Sequence, residues 1–232
     1  MSYQATGPPN LHILTLDGNG ETTRLLESEH EQFPTSWSAN GRFIAYTDYN
    51  PETGPDIWIV DMEGEALGTP FQATAFQETH GVFSPDGKWL AYVSNETGRK
   101  EGYVRSASGP GKHLLSVDGG NEPVWARNGA ELFYRNQNKM MVVAVETEPI
   151  FRPQTLQLLF EKAATRNLNE TLVAQYDVSL DGQRFLMLEP VEPVDATEIT
   201  LVQNWFQELK RLAPPPIRPG TRALTLTTTD RP

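Results

Sequence analysis

The chain has 232 residues, with 19 Lys and Arg against 30 Asp and Glu, so its formal net charge is −11. That length suits one large domain or two small ones, and 38% hydrophobic residues with 18 glycines exclude a disordered composition. The acidic excess speaks against nucleic acid and anionic membrane surfaces as partners, and the absence of cysteine excludes a disulfide framework and thiolate metal sites while leaving the compartment open between cytoplasm and periplasm or other extracytoplasmic space.

Met1 to Asn10 lacks the basic start and apolar run of a signal peptide, and no window reaches the roughly 18 apolar residues of a membrane span, so membrane insertion by this chain is not expected. Leu11 to Leu26 then reads as two short strands with a Gly-rich turn between them. From Trp37 onward the chain repeats itself. Trp37 to Thr47 (WSANGRFIAYT) is echoed by Phe83 to Val93 (FSPDGKWLAYV), by Trp125 to Arg135 (WARNGAELFYR) and by Val178 to Leu188 (VSLDGQRFLML). Gly41, Gly87, Gly129 and Gly182 fix the register, at intervals of 46, 42 and 53 residues. A period of about 40–50 is that of a four-stranded propeller blade.

Each copy has a local physical meaning. Asn40-Gly41, Asp86-Gly87, Asn128-Gly129 and Asp181-Gly182 tolerate positive φ and reverse the chain between two strands. In the returning strand Ile44, Leu90, Leu132 and Phe185 form one column, and Tyr46, Tyr92, Tyr134 and Met187 another two residues on. A step of two keeps both columns on one face, which should pack against the neighbouring blade. Third strands follow at Asp56 to Asp61 and Met140 to Val145, then turns, then outer strands near Pro70 to Ala73, His113 to Leu115 and Leu156 to Phe160.

The expected organisation is therefore all-β: a β-propeller of four-stranded antiparallel blades, about four to five of them, as a partial or open ring. The partial first blade, residues 11–26, supplies only the outer two strands. Complete blades span about 33–73, 79–115 and 121–160, and a last blade spans 174–203 with a third strand near Glu198 to Gln203. Trp205, Phe206, Leu209 and Leu212 fall on one stripe of a short helix over 204–212. Residues 213–232, with Pro214-Pro215-Pro216 and many threonines, read as a disordered tail. The five tryptophans, Trp37, Trp58, Trp89, Trp125 and Trp205, sit at repeat or helix-stripe positions and are expected to pack rather than to bind.

These residues resemble the WD-repeat-like blades of the TolB family: the turns Trp37-Ser38-Ala39-Asn40-Gly41 and Phe83-Ser84-Pro85-Asp86-Gly87, the IAY and LAY strands after them, and Asp56-Ile57-Trp58-Ile59-Val60-Asp61. The resemblance covers Leu11 to about Gln203. It implies the propeller fold, and it spans several functions: periplasmic TolB, the gating propellers of prolyl-oligopeptidase-like enzymes, and propellers appended to bacterial serine/threonine kinases. The ending Ile199 to Leu212 looks most like the last group. The resemblance also implies six or more blades in a closed ring. With a half-blade at its start, the chain is either a fragment of a longer protein or closes by self-association with a second copy.

No catalytic motif is present. The chain has no Gly-x-Ser-x-Gly elbow, no glycine-rich phosphate loop, no His-Arg-Asp loop and no Asp-Phe-Gly, so neither hydrolase nor kinase chemistry is expected in it. His12, His30, His80 and His113 are scattered without a second His at i+3 or i+4, and the acidic turns lack a full set of calcium ligands, so no metal and no cofactor are expected.

The candidate site comes from propeller geometry, in which the innermost strand of each blade lines the central channel. Seven residues before each register glycine stand Pro34, His80, Glu122 and Gln175, with Gln32, Glu78, Asn121 and Asp177 beside them. The polar members, Gln32, Glu78, His80, Asn121, Glu122, Gln175 and Asp177, are the candidates for a mostly acidic channel mouth that takes a protein or peptide partner; plain loop polarity is the competing reading. The function this implies is a non-catalytic binding module of a larger kinase-linked or TolB-like bacterial protein. The alternative is a substrate-gating propeller of a serine peptidase without its hydrolase domain.

Overall fold

The computed structural model describes residues 7–16, 20–64, 67–162 and 174–188. The chain divides into two compact units, Met1–Pro190 and Val191–Pro232, and every described residue belongs to the first. The strand expected at Glu198 to Gln203, the helix over 204–212, Trp205 and the tail over 213–232 lie outside the described residues.

The described residues are all-β. A two-stranded hairpin comes first, β1 (His12–Leu14) and β2 (Thr22–Arg24). Three four-stranded antiparallel sheets follow. The first joins β3 (Glu31–Trp37), β4 (Phe43–Asn50), β5 (Gly54–Asp61) and β6 (Gly68–Gln72). The second joins β7 (Glu78–Phe83), β8 (Trp89–Ser94), β9 (Glu101–Ser106) and β10 (Lys112–Leu114). The third joins β11 (Asn121–Trp125), β12 (Glu131–Asn136), β13 (Lys139–Glu146) and β14 (Arg152–Glu161). A last hairpin pairs β15 (Tyr176–Val178) with β16 (Phe185–Met187). Strands are adjacent in chain order within every sheet, which is the meander of a propeller blade.

The turn between the first two strands of each unit is built the same way four times. Gly41, Gly87, Gly129 and Gly182 all hold φ between 71 and 77°, a left-handed conformation that only glycine takes at no steric cost. The preceding Asn or Asp accepts the backbone N–H two residues on, at Arg42, Lys88, Ala130 and Gln183. In three copies a serine adds two more bonds. Ser84 Oγ, for example, donates to Asp86 Oδ1 at 2.5 Å and accepts from Trp89 N at 3.0 Å.

Four apolar clusters lie between successive sheets. Leu11, Ile44, Tyr46 and Val60 join the first hairpin to the first blade. Ala45, Ile57, Phe83, Leu90, Tyr92 and Tyr103 join the first blade to the second. Ala91, Trp125, Leu132, Tyr134, Val143 and Phe151 join the second to the third, and Phe133, Met140 and Tyr176, with Phe185 and Met187, join the third to the last hairpin. The isoleucine/leucine and tyrosine columns of the second strands therefore face the preceding sheet, while the alternate residues Ala45, Ala91 and Phe133 face the following one. Polar clamps cross the same interfaces: Trp125 Nε1 donates to Val82 O at 3.2 Å, and Phe83 N donates to Ser36 Oγ at 3.1 Å.

Trp37 departs from the packing expected of it. Trp125 is buried and Trp58 and Trp89 are half-buried, but Trp37 stays exposed and donates its indole N–H to Gly41 O at 2.9 Å. The sheet before it consists of β1 and β2 alone, and no described inner strand reaches its ring.

Candidate functional site

The innermost strands β3, β7 and β11 each carry an irregularity. Register shifts fall between Pro34 and Ser36, between Thr79 and Val82, and between Asn121 and Val124. Such bulges bend a strand and re-aim its side chains. In the second and third blades the bulge forces a non-glycine residue into the left-handed region, at His80 (φ 58°) and Glu122 (φ 56°), which occupy the same repeat position. A proline ring fixes φ near −65°, so Pro34 at the equivalent place in the first blade cannot follow. Strain of this kind persists only where surrounding contacts over-determine it.

At Glu122 those contacts are visible. The residue is buried, its Oε2 accepts the backbone N–H of Gln175 at 3.2 Å and lies 3.9 Å from Arg135 Nη1, and its carbonyl accepts the phenol O–H of Tyr176 at 2.9 Å. One side chain thus ties the third blade to the start of the last hairpin. Burial pushes the Glu122 carboxyl above its ordinary range, against the opposing pull of the Gln175 N–H, Arg135 and Lys100. Gln175 is half-buried and Asp177 is exposed, with Asp177 Oδ1 accepting Val178 N at 2.8 Å. Half-buried Asn121 precedes Glu122, and its Oδ1 has no hydrogen-bond partner among the described residues. His80 is buried and shares a 2.9 Å hydrogen bond between Nδ1 and Thr79 Oγ1.

Gln32 and Glu78 stand at the same repeat position and are both buried, with different work. Gln32 Oε1 accepts Leu11 N at 3.3 Å and the Gln32 backbone N–H donates to Pro9 O at 2.7 Å, anchoring the first hairpin to the first blade. Glu78 Oε1 accepts the hydroxyls of Thr74 (2.6 Å) and Ser94 (3.3 Å), and the Glu78 carboxyl interacts with that of Asp56 across the blade interface. Glu78 Oε2 and Asp56 Oδ1 are both buried without a hydrogen-bond partner among the described residues, a setting that disfavours the ionised form of each acid. Both are raised above the ordinary carboxyl range, chiefly by burial, and Glu78 further by the negative charge of Asp56. Asp56 also pairs in register with Asp48, whose Oδ1 is 2.6 Å from His30 Nδ1.

The next interface omits the second acid. Glu101 replaces Asp56 and Ser116 replaces Thr74, with Ser116 Oγ bonded both to Glu101 and to Gly102 N. Gly120 stands where Glu78 would be, and a Cβ there would meet Ser116 Oγ at 2.4 Å. Asp56, Asp48 and His30 were not marked as site residues by sequence; the signal available was a charged residue opening an otherwise apolar third strand. Among the described residues no group of three or more His, Cys, Asp or Glu side chains could hold a metal ion, and no helix is long and apolar enough to cross a membrane.

No family model matches the chain. The Tol-Pal system protein TolB of Anaeromyxobacter dehalogenans is 32% identical over 110 residues, covering 46% of this chain and 24% of that protein. The crystal structure of TolB from Acinetobacter baumannii matches 78% of this chain with a TM-score of 0.54 at 16% identity, over 43% of its own length. These are TolB-like propeller blades. The TolB-like blades also superpose on oligogalacturonate lyase from Vibrio parahaemolyticus, with a TM-score of 0.53, 10% identity and coverage of 75% of this chain and 51% of that one; at that identity the likeness is one of fold. This chain therefore spans about half or less of each of these three relatives.

Proposed function

We propose that the chain is a non-catalytic propeller module that binds a protein or peptide partner at the channel side of its inner strands, as the C-terminal part of a larger bacterial TolB-like or kinase-linked protein. The observation that carries this reading is the repeated strained bulge at His80 and Glu122, with Glu122 clamping the backbone at Gln175. That clamp fixes the loops of successive blades against each other and presents Asp177 to solvent. A preorganised loop edge loses little freedom on binding, which favours affinity for an extended partner. The excess of acidic residues makes a basic segment the complementary partner. Self-association belongs to the same reading, since the first and last sheets are half-blades among the described residues.

Titration calorimetry with a Lys/Arg-rich peptide and a Glu-rich peptide of equal length tests the binding role. Preferential binding of the basic peptide, weakened by Asp177→Asn, supports it; equal behaviour of both peptides and both proteins overturns it. The intact mass and N-terminal sequence of the endogenous protein test the larger context, and a mature chain beginning at Met1 would remove the kinase-linked part of the proposal.

A further inference from the structure

We propose that the groove between the first and second blades binds an extended segment of a partner protein, seating a phenylalanine side chain against Phe43 and Phe83 and a carboxylate on Arg105. The third blade supplies the template. Its β13–β14 turn returns Phe151 into the interface with the second blade, where the residue is 2% exposed and its ring lies 5.2 Å from that of Trp89, 5.1 Å from His113 and 6.4 Å from Trp125, centroid to centroid. The same three places recur one interface earlier. Trp89 and Phe43 each stand two residues after a register glycine, and Trp125 and Phe83 four before one. His113 pairs with Val104 and Val104 with Ala91, as Thr69 pairs with Ile59 and Ile59 with Ala45.

At the earlier interface those three walls, Phe43, Thr69 and Phe83, line a cavity of about 710 Å³. The length of the turn accounts for the difference. Leu156 lies 13 positions after its partner Val143 in the third blade, whereas Lys112 lies 7 positions after its partner Arg105 in the second. The longer turn folds an aromatic side chain back between the blades. The shorter one, Ala107 to Gly111, carries no side chain larger than proline and leaves the walls uncovered. Walls of the same make accept the same kind of occupant, a flat ring that buries much apolar area and has few rotamers to lose.

Arg105 sets the charge of that occupant. It pairs with Leu90, where the first and third blades pair Ile44 with Val60 and Leu132 with Val143, and both valines are fully buried. An arginine in a column of buried valines breaks the rule of the repeat, as functional positions do. Its guanidinium lies on the Phe71 ring, Cζ 4.8 Å from the centroid, and Nη1 donates to Phe71 O and, at 3.2 Å, to Gln72 Oε1. Arg42, Lys88 and Lys112 around it each pair with an acid, whereas Arg105 has no carboxylate partner among the described residues. The groove is lined by Arg105 and Lys88 and by no Asp or Glu, in a chain of net charge −11. A guanidinium held flat on an aromatic ring is preorganised for a carboxylate. The groove lies at the Gly87 end of the second blade, away from the start of β7 at Glu78, so this site is separate from the channel side of the inner strands and opposite in sign.

Titration calorimetry of the full chain with the end-capped peptide Gly-Ser-Glu-Phe-Glu-Ser-Gly tests the site. Expected is saturable binding with a Kd below about 1 mM, weakened at least about tenfold when alanine replaces the phenylalanine or glutamine replaces both glutamates. Arg105→Val installs the residue of the other blades and should abolish the preference for Glu over Gln with an unchanged β-sheet circular dichroism spectrum. Thr69→Glu adds a carboxylate at an exposed position of the groove wall; it should weaken the parent peptide as well, and it keeps the test decisive if Arg105→Val misfolds. Asp177→Asn should leave this Kd unchanged, which separates the groove from the channel side. No saturable binding, or binding indifferent to the phenylalanine or to the glutamates, overturns the proposal. So does a Kd that responds to Asp177→Asn and to neither groove variant. A concentration-dependent dimer of the parent protein that Thr69→Glu disperses would assign the groove to a second copy and overturn it too.

Discussion

Trp37 and Trp125 occupy the same position of two repeats, four residues before a register glycine, yet Trp125 donates its indole N–H across a blade interface to Val82 O and Trp37 donates to Gly41 O in its own turn. The difference is one of neighbours, since only Trp125 has a complete blade before it. Truncating Trp125 leaves a void in the cluster with Leu132 and Phe151, and such losses cost about 3–5 kcal/mol. Trp125→Ala should therefore lower unfolding stability by about that amount in urea titration. Trp37→Ala should cost under about 1 kcal/mol. Equal costs for the two would contradict the packing described.

Glu78 and Asp56 give the fold a pH dependence of known sign. Burial and the neighbouring charge raise the Glu78 carboxyl above its ordinary range, so the folded state holds a proton that the unfolded chain releases near pH 4.3. The stability gained from that proton is complete below the unfolded value and is lost as pH rises through the folded one. Glu78→Gln keeps a donor facing Asp56 without a titrating proton. Its melting temperature relative to the parent should rise between pH 4 and pH 8 in parallel thermal scans. A difference between variant and parent that stays constant with pH would show that Glu78 is not the source.

The blade architecture was legible in sequence because its determinants are local. Asn or Asp before glycine sets each turn, and Ile44, Tyr46 and their repeats set each face, all within about ten residues. The carboxyl pair was not legible, because Asp56 and Glu78 stand 22 residues apart on different blades and meet only when those blades pack. Nor was the burial of Glu78 and His80 beside the exposure of Asp177, since bulges decide which way an inner-strand side chain turns. Exposure of Trp37 escaped for a related reason: a repeat pattern assigns the position, and the neighbouring sheet decides the packing.

Gly120 holds the second blade interface to a single acid. Its missing side chain lets Ser116 Oγ reach Gly102 N at 2.8 Å and Glu101 as well. A Cβ at Gly120 would come within 2.5 Å of Ser116 Cβ and 3.0 Å of Gly102 N, neither of which can yield without moving backbone. Gly120→Ala should cost about 1–3 kcal/mol, the range of overpacking. Gly64→Ala is the control, since its Cβ would meet nothing nearer than 3.6 Å and should shift stability by less than about 0.5 kcal/mol. Indistinguishable denaturation midpoints for the two variants would refute the close approach.

The four turns supply their own comparison for the serine that precedes them. Ser84 is buried and its hydroxyl satisfies Trp89 N while donating to Asp86. Ser84→Ala leaves that N–H and one Asp86 acceptor without the partner, at a cost of about 1–2 kcal/mol. The third blade carries Ala126 in the same place, and there Asn128 Oδ1, accepting Ala130 N at 2.9 Å, is the side-chain atom that serves the turn beside its backbone bonds. Ala126→Ser offers a hydroxyl to the same Asn128 oxygen and to the backbone at Glu131, recreating the bonds of the other three turns. The added oxygen is small and has both partners at hand, so the substitution should raise stability by about 0.5–1 kcal/mol. A loss of stability in Ala126→Ser would instead mean that the apolar cluster of Ala126 with Phe133 and Met140 outweighs the turn, and that the third blade omits the serine for packing.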